Sequence, residues 1–315
     1  MLSKNWLLLL TTAAAPVLWG TTYLVTAELL PPERPLLSGL LRALPAGLLL
    51  LLVVRRLPAG HWWWKSAILG ALNIGLFFSL LFVAAYRLPG GVAATAGAVQ
   101  PLLVALFASR LTGERLTVVK LAAGFSGLFG VGLLVLQAQA RLDLPGVAAA
   151  LGGAVAMAAG VVLTKKWGMG GPLLAGTSWQ LISGGLLLLP LAVVLEGPLP
   201  ALSAANLAGY AYLSLIGTAL AYLLWFRGLR ALPAAGAALL GLLSPLMAAA
   251  CGWVFLGESL SPGQCIGAAI ILATLMVAAA GQPARGGEEE AAISSIAWAR
   301  PLTALTDPNA EMKPE

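Results

Sequence analysis

Gly113-Glu114-Arg115-Leu116 and Gly257-Glu258-Ser259-Leu260 stand 144 positions apart, and the same shift lays Pro101 on Pro245 and Leu88-Pro89 on Leu232-Pro233. Three landmarks at one offset mark an internal repeat. At a shift of 138, Arg42 falls on Gln180 and Ala46-Gly47-Leu48-Leu49-Leu50 on Gly184-Gly185-Leu186-Leu187-Leu188, which carries the repeat toward the start of each half.

What repeats is apolar throughout. The 315 residues are 60% hydrophobic and 10% charged, against roughly 25% charged in soluble domains. Crossing a hydrocarbon core of about 30 Å takes about 20 apolar residues. Cutting the chain at its charged and Pro/Gly-rich breaks gives ten such segments: Trp6 to Ala27, Leu36 to Val54, Trp64 to Tyr86, Gly91 to Leu111, Thr117 to Ala138, Leu144 to Thr164, Leu173 to Leu195, Asn206 to Phe226, Ala234 to Leu256, and Pro262 to Gly281. The sequence therefore predicts an all-α polytopic membrane protein of ten transmembrane helices. Residues 1–138 and 139–281 form its two five-helix repeats, and residues 282–315, with Glu288 to Glu290 and several prolines, form a disordered cytoplasmic tail. An odd number of helices per half makes the second half enter the membrane from the opposite side. Such inverted repeats are an architecture of secondary transporters, because two similar halves of opposite topology can exchange conformations about a central site.

Charge sets the orientation. Fourteen Lys and Arg fall on one side of the segments and three, Arg34, Arg87 and Arg141, on the other, which places both termini in the cytoplasm. Trp6, Trp62, Trp63, Trp64, Trp167 and Trp225 fall near the cytoplasmic helix ends, as an interfacial belt would. The net charge of +6 is spread singly or in pairs between apolar runs, a pattern that orients helices and excludes a nucleic-acid partner.

Few polar residues lie at depth. Arg42 is the one charge clearly inside a span, roughly 9 Å from the outer end of its helix. It either pairs with an anionic or zwitterionic substrate or snorkels to the outer interface. Asn73 and Gln100 lie near the midplane and Gln180 takes the place of Arg42 in the second half; their amides suit a polar solute or act as interhelical glue. Trp19, Thr22, Tyr86 and Tyr222 could wall a flat substrate or simply pack. Pro101 and Pro245, each near mid-helix, remove a backbone hydrogen bond and act as hinges or plain packing kinks. Glu114 and Glu258 read as caps of the following helices, and Gly113 and Gly257 as turn formers.

The absences narrow the chemistry. His61, the single histidine, sits in a predicted loop, so no His-based metal site or catalytic relay can be assembled within the membrane, and the sequence implies no metal or cofactor. No phosphate-cradling Gly-x(4)-Gly-Lys-[Ser/Thr] sequence is present to hydrolyse ATP. Cys251 and Cys265 read as small apolar packing residues or a disulfide near the outer helix ends. The residues leave open whether a proton couples transport and whether the chain pairs as a homodimer.

Ten helices, two repeats and a Pro-x(12)-Gly-Glu element closing each half resemble the EamA-type drug/metabolite transporters over residues 6 to 281. More narrowly, residues 15–23, 30–35 and 82–92 (Ala15-Pro16-Val17-Leu18-Trp19-Gly20-Thr21-Thr22-Tyr23, Leu30-Pro31-Pro32-Glu33-Arg34-Pro35 and the run Phe82 to Val92) look like the subgroup of blue-pigment (indigoidine) exporters. The resemblance implies efflux of a small polar or aromatic metabolite across the inner membrane, with the lipid bilayer and the solute as partners. The alternative is a polytopic membrane enzyme or a structural subunit of a larger complex.

Overall fold

The computed structural model describes residues 2–87, 97–135, 143–257 and 259–280, and every described element is a helix. Met1–Ala280 form one compact unit; the tail expected over residues 282–315 lies outside the described residues, as do the Leu88-Pro89 landmark and Glu258. Among the described residues, seven helices are long and apolar enough to cross a membrane: α1 (Trp6–Leu29), α2 (Pro35–Val54), α3 (Trp62–Leu81, continuing to Arg87), α6 (Leu144–Trp167), α7 (Leu173–Glu196), α8 (Ala204–Ala231) and α9 (Ala234–Phe255). Three shorter apolar helices, α4 (Gln100–Leu111), α5 (Val118–Leu134) and α10 (Pro262–Ala278), complete the described bundle.

The bundle inverts the usual distribution of polarity. Leu52, Val118, Phe125, Phe129, Val194 and Phe255 stand exposed, whereas Arg42, Asn73, Thr177, Gln180 and Thr218 are buried. An apolar exterior of this extent marks aggregation in water but is the correct solvent-facing surface in lipid. The chain is an integral, multi-pass membrane protein.

Helix pairs approach closely where glycine removes a side chain. The α2–α7 pair is antiparallel: the first amides of α2, Leu36 and Leu37, bond the carboxylate of Glu196 at the end of α7 (2.5 and 2.8 Å), while Trp179 early in α7 gives Nε1 to the Arg56 carbonyl beyond the end of α2 (2.8 Å). At the crossing, a Cβ on Gly47 would lie 2.8 Å from Ile182, and one on Gly185 would lie 2.8 Å from Leu44. Gly47 and Gly185, and Leu44 and Ile182, are each 138 positions apart, so the two contacts are reciprocal. The α5–α10 pair is antiparallel too, with Gly130 against Ile271 and Gly267 against Leu134.

The ends of α8 are tied differently. At its start, Asn206 gives Nδ2 to the Leu29 carbonyl (2.8 Å), and the Tyr210 and Ser38 hydroxyls lie 3.4 Å apart, so this end sits beside the α1–α2 loop. At the opposite end, Lys165 Nζ donates to the carbonyls of Arg230 and Leu232 (2.9 and 2.8 Å), and Glu114 accepts from the Ala234 amide (2.6 Å). Glu114 thus caps the first turn of α9 rather than that of the following helix, as the sequence reading had it. Gly113 and Gly257 adopt φ of 73° and 67°, conformations that favour glycine.

Candidate functional site

One cavity of about 510 Å³ opens among α1, α2, α3, α4, α6, α8 and α9. Its rim includes Pro31, Pro32, Glu33 and Arg34 of the α1–α2 loop, and it runs inward to Trp19, Tyr222 and Trp225. Beyond Trp225, toward Leu232, the packing closes: Phe226, Leu229, Leu232 and Ala234 are all buried in the core. The cavity therefore faces the α1–α2 loop side and is sealed on the side where Lys165 and Glu114 hold the α8–α9 connection.

Its walls carry the repeat residue by residue. Phe78 and Tyr222, Leu81 and Trp225, Gly97 and Gly241, Ala98 and Leu242, Gln100 and Ser244, and Pro101 and Pro245 all line the cavity, and each pair is separated by 144 positions. The last four pairs come from the start of α4 with Gly97 and Ala98 just before it, and from α9, and each stretch holds a turn within one position of the other's equivalent. Helical hydrogen bonding gives way to turns at Ala98-Val99 and at Gly241-Leu242, just before the two prolines. A proline cannot donate to the carbonyl four residues earlier, which is Gly97 in one helix and Gly241 in the other. A tighter three-residue bond from Ser244 takes up the Gly241 carbonyl (3.0 Å), and Leu102 makes a similar bond to Val99 (3.1 Å) beside Gly97. Opposite this break, Gly20 lets α1 approach α9: a Cβ there would stand 2.6 Å from the Ser244 carbonyl.

A second paired irregularity lies in α3 and α8. Ala71–Leu76 and Leu215–Leu220 are π-helical turns, again 144 positions apart at both ends. A π turn displaces backbone carbonyls from the regular ladder and occurs often at functional sites. Here two equivalent carbonyls accept side-chain donors: Gly217 from Arg42 Nη2 (3.0 Å) and Asn73 from the Tyr222 hydroxyl (3.4 Å). Arg42 Nε also donates to Thr218 Oγ1 (3.0 Å), and the guanidinium lies 5.0 Å from the centre of the Phe78 ring. Arg42 is 6% exposed and lines the cavity; its bonds hold the head group inside the protein rather than at the interface.

Asn73 and Gln180 meet each other instead of the cavity, whose lining includes neither. Asn73 Nδ2 donates to Gln180 Oε1 (2.8 Å) and to Thr164 Oγ1 (3.1 Å), and Thr164 in turn bonds the Gly160 carbonyl. This is a buried link among α3, α6 and α7. It mirrors the Arg42 link: in each, a residue of α2 or α7 reaches a π turn belonging to the other half.

Of the residues chosen from sequence, Trp19, Thr22, Arg42, Gln100, Pro101, Tyr222 and Pro245 are brought together in the cavity wall. The Tyr86 side chain lies outside the described residues. Trp225, assigned from its helix end to the interfacial belt, is instead 1% exposed and lies at the deep end of the cavity. Trp6, Trp63 and Trp64 are exposed as a belt requires, and Lys65 lies 5.2 to 5.8 Å from the rings of Trp62, Trp64 and Trp167. Phe78, Thr218 and Ser244 were not singled out. Extending the 144-residue shift through every polar and aromatic position would have named Ser244 from Gln100. Both cysteines are free thiols, Cys251 buried and Cys265 exposed.

Comparison with known proteins agrees with this geometry. The EamA-like transporter family matches the chain twice, over residues 5–136 and 144–280. Protein PecM of Dickeya dadantii (strain 3937) is 46% identical over 266 residues, covering 84% of this chain and 89% of PecM; the subgroup resemblance drawn from the short motifs fits it. The threonine/homoserine exporter RhtA of Escherichia coli (strain K12) is 29% identical over 206 residues, 65% of this chain and 68% of RhtA. A solved crystal structure with 22% identity superposes at a TM-score of 0.74, over 85% of this chain and 95% of that one, a likeness of fold. With the family matched across both halves of the bundle, the chain belongs to the EamA-like transporters.

Proposed function

We propose that the protein exports a small polar or aromatic metabolite from the cytoplasm by alternating access. Residues 1–138 and 139–281 act as inverted five-helix halves, ten spans in all, with both termini in the cytoplasm of an inner-membrane protein. The observation that carries this reading is the cavity wall itself, in which six pairs of residues 144 positions apart face one space. A site built from equivalent parts of two oppositely inserted halves can be opened to either side by exchanging their conformations. The reciprocal α2–α7 crossing supports the same symmetry.

In this reading the structure faces outward, because the cavity opens beside the α1–α2 loop, the side poor in Lys and Arg. Arg42 draws a polar or anionic group into the wall, Gln100 adds an amide, and Trp19 and Tyr222 contact a ring. Pro101, in the first turn of α4, and Pro245 of α9 serve as hinges. The name of RhtA supports an amino-acid-like cargo, and the motif resemblance supports an indigoidine-like pigment.

The test is untargeted profiling of spent medium from cells expressing the intact protein, beside cells with equal membrane levels of an Arg42→Ala, Gln100→Ala variant. The proposal expects a compound enriched outside and depleted inside only with the intact protein. No difference in a host making amino acids and candidate pigments would contradict it.

A further inference from the structure

Four buried polar side-chain atoms have no hydrogen-bond partner among the described residues: Trp19 Nε1, Thr22 Oγ1, Trp225 Nε1 and Asn73 Oδ1. The first three belong to residues of the cavity wall. Burying a donor with no acceptor is unfavourable, and elsewhere this chain avoids it: the buried Trp179 gives its Nε1 to the Arg56 carbonyl. The exceptions are also neighbours. The ring centres of Trp19 and Trp225 are 5.3 Å apart, and those of Trp19 and Tyr222 are 5.2 Å apart, each pair tilted by about 55°. The Tyr222 hydroxyl is directed to the Asn73 carbonyl, which leaves the two indole N–H groups and the Thr22 hydroxyl as the unpartnered donors among these lining residues.

Resting on the transport reading, we propose that Trp19, Thr22 and Trp225 form a donor subsite at the deep end of the cavity. It takes a planar, ring-bearing solute through an acceptor oxygen, carboxylate or carbonyl. The rings supply the apolar surface against which such a solute packs edge or face. The unpartnered donors supply discrimination, because a ring without an acceptor leaves them unsatisfied, whereas an oxygen that reaches one of them as the solute seats and the side chain turns toward it does not. Arg42 on the same cavity adds a preference for the charged carboxylate over the neutral carbonyl.

The test uses the purified full chain in lipid nanodiscs and equilibrium dialysis with three labelled probes: indole-3-carboxylate, indole-3-carboxamide and 3-methylindole. Values are corrected for partition into empty nanodiscs. The intact protein should bind both oxygen-bearing probes roughly tenfold or more tightly than 3-methylindole. In the Trp19→Phe, Trp225→Phe variant, which keeps two rings and removes both N–H groups, that advantage should fall to about twofold or less. Thr22→Val should give a smaller loss in the same direction. Equal binding of all three probes by the intact protein, no binding of any, or an undiminished oxygen preference in the double variant would each overturn the subsite. Cargo found in the medium with probes insensitive to the donors would sink the subsite and leave export standing. Donor-dependent probe binding without any exported compound would do the reverse.

Discussion

Arg42 is expensive where it stands, and its surroundings show how the cost is offset. Thr218 Oγ1 and the Gly217 carbonyl take two of its donors, and the Phe78 ring takes its face. Replacing it by alanine removes the charge from the cavity wall without opening a lipid-facing defect. Arg42→Ala should therefore cut export at least about tenfold at unchanged membrane abundance; transport equal to the intact protein, normalised to immunoblot signal, would remove Arg42 from the site. Arg42→Lys should not restore activity, because one ammonium cannot reproduce the separate Nε and Nη2 bonds. At the turns, Gly113→Ala and Gly257→Ala place a Cβ on residues with φ of 73° and 67°. Each should destabilise by about 1 to 2 kcal/mol, read as a lower melting temperature of the purified protein. Space is not the cause, since a Cβ at either position would meet nothing within 4 Å.

At the scale of the helix, the informative features are departures from regularity. The prolines were legible in the sequence because proline has one dominant effect on a helix, and their symmetric spacing pointed to the cavity they now line. The π turns were not. Nothing in Ala71-Leu72-Asn73-Ile74-Gly75-Leu76 or its counterpart distinguishes a wide turn from a regular one, since the extra backbone slack is settled by tertiary bonds to Arg42 and Tyr222. Asn73 and Gln180 illustrate the same limit: sequence placed both at depth, but only the fold shows that Asn73 turns toward Gln180 and Thr164. Trp225 failed for a complementary reason, because nearness to a helix end places a residue in depth but not in azimuth. Pro101→Ala and Pro245→Ala permit regular hydrogen bonds to Gly97 and Gly241, and each should slow transport severalfold while leaving insertion intact. Wild-type rates from both variants would show that the breaks are packing kinks. Gly185→Leu, by contrast, drives a side chain into Leu44 at the α2–α7 crossing and should lower the yield of folded protein, measured by monodisperse recovery in detergent.

At the scale of the whole molecule, hydropathy and the repeat determined most of what could be read. Among the described residues, apolar runs located most helices to within a few residues, the start of the fourth run at Gly91 lying outside them, and the offsets of 138 and 144 named equivalent positions that the fold brings together across the bundle. Truncation after Gln282 should leave export unchanged, since Met1–Ala280 form the compact unit; an inserted but inactive truncation would assign the tail a role. The larger claim is that one cavity is served from both sides in turn. Its direct test is a single thiol, Ser244→Cys, in a Cys251→Ala, Cys265→Ala background, alkylated by a membrane-impermeant maleimide in right-side-out and in inside-out vesicles. Alternating access predicts reaction in both preparations, with the membrane remaining tight to the reagent throughout. Reaction in only one orientation, however long the exposure, would show a fixed pocket and contradict the account.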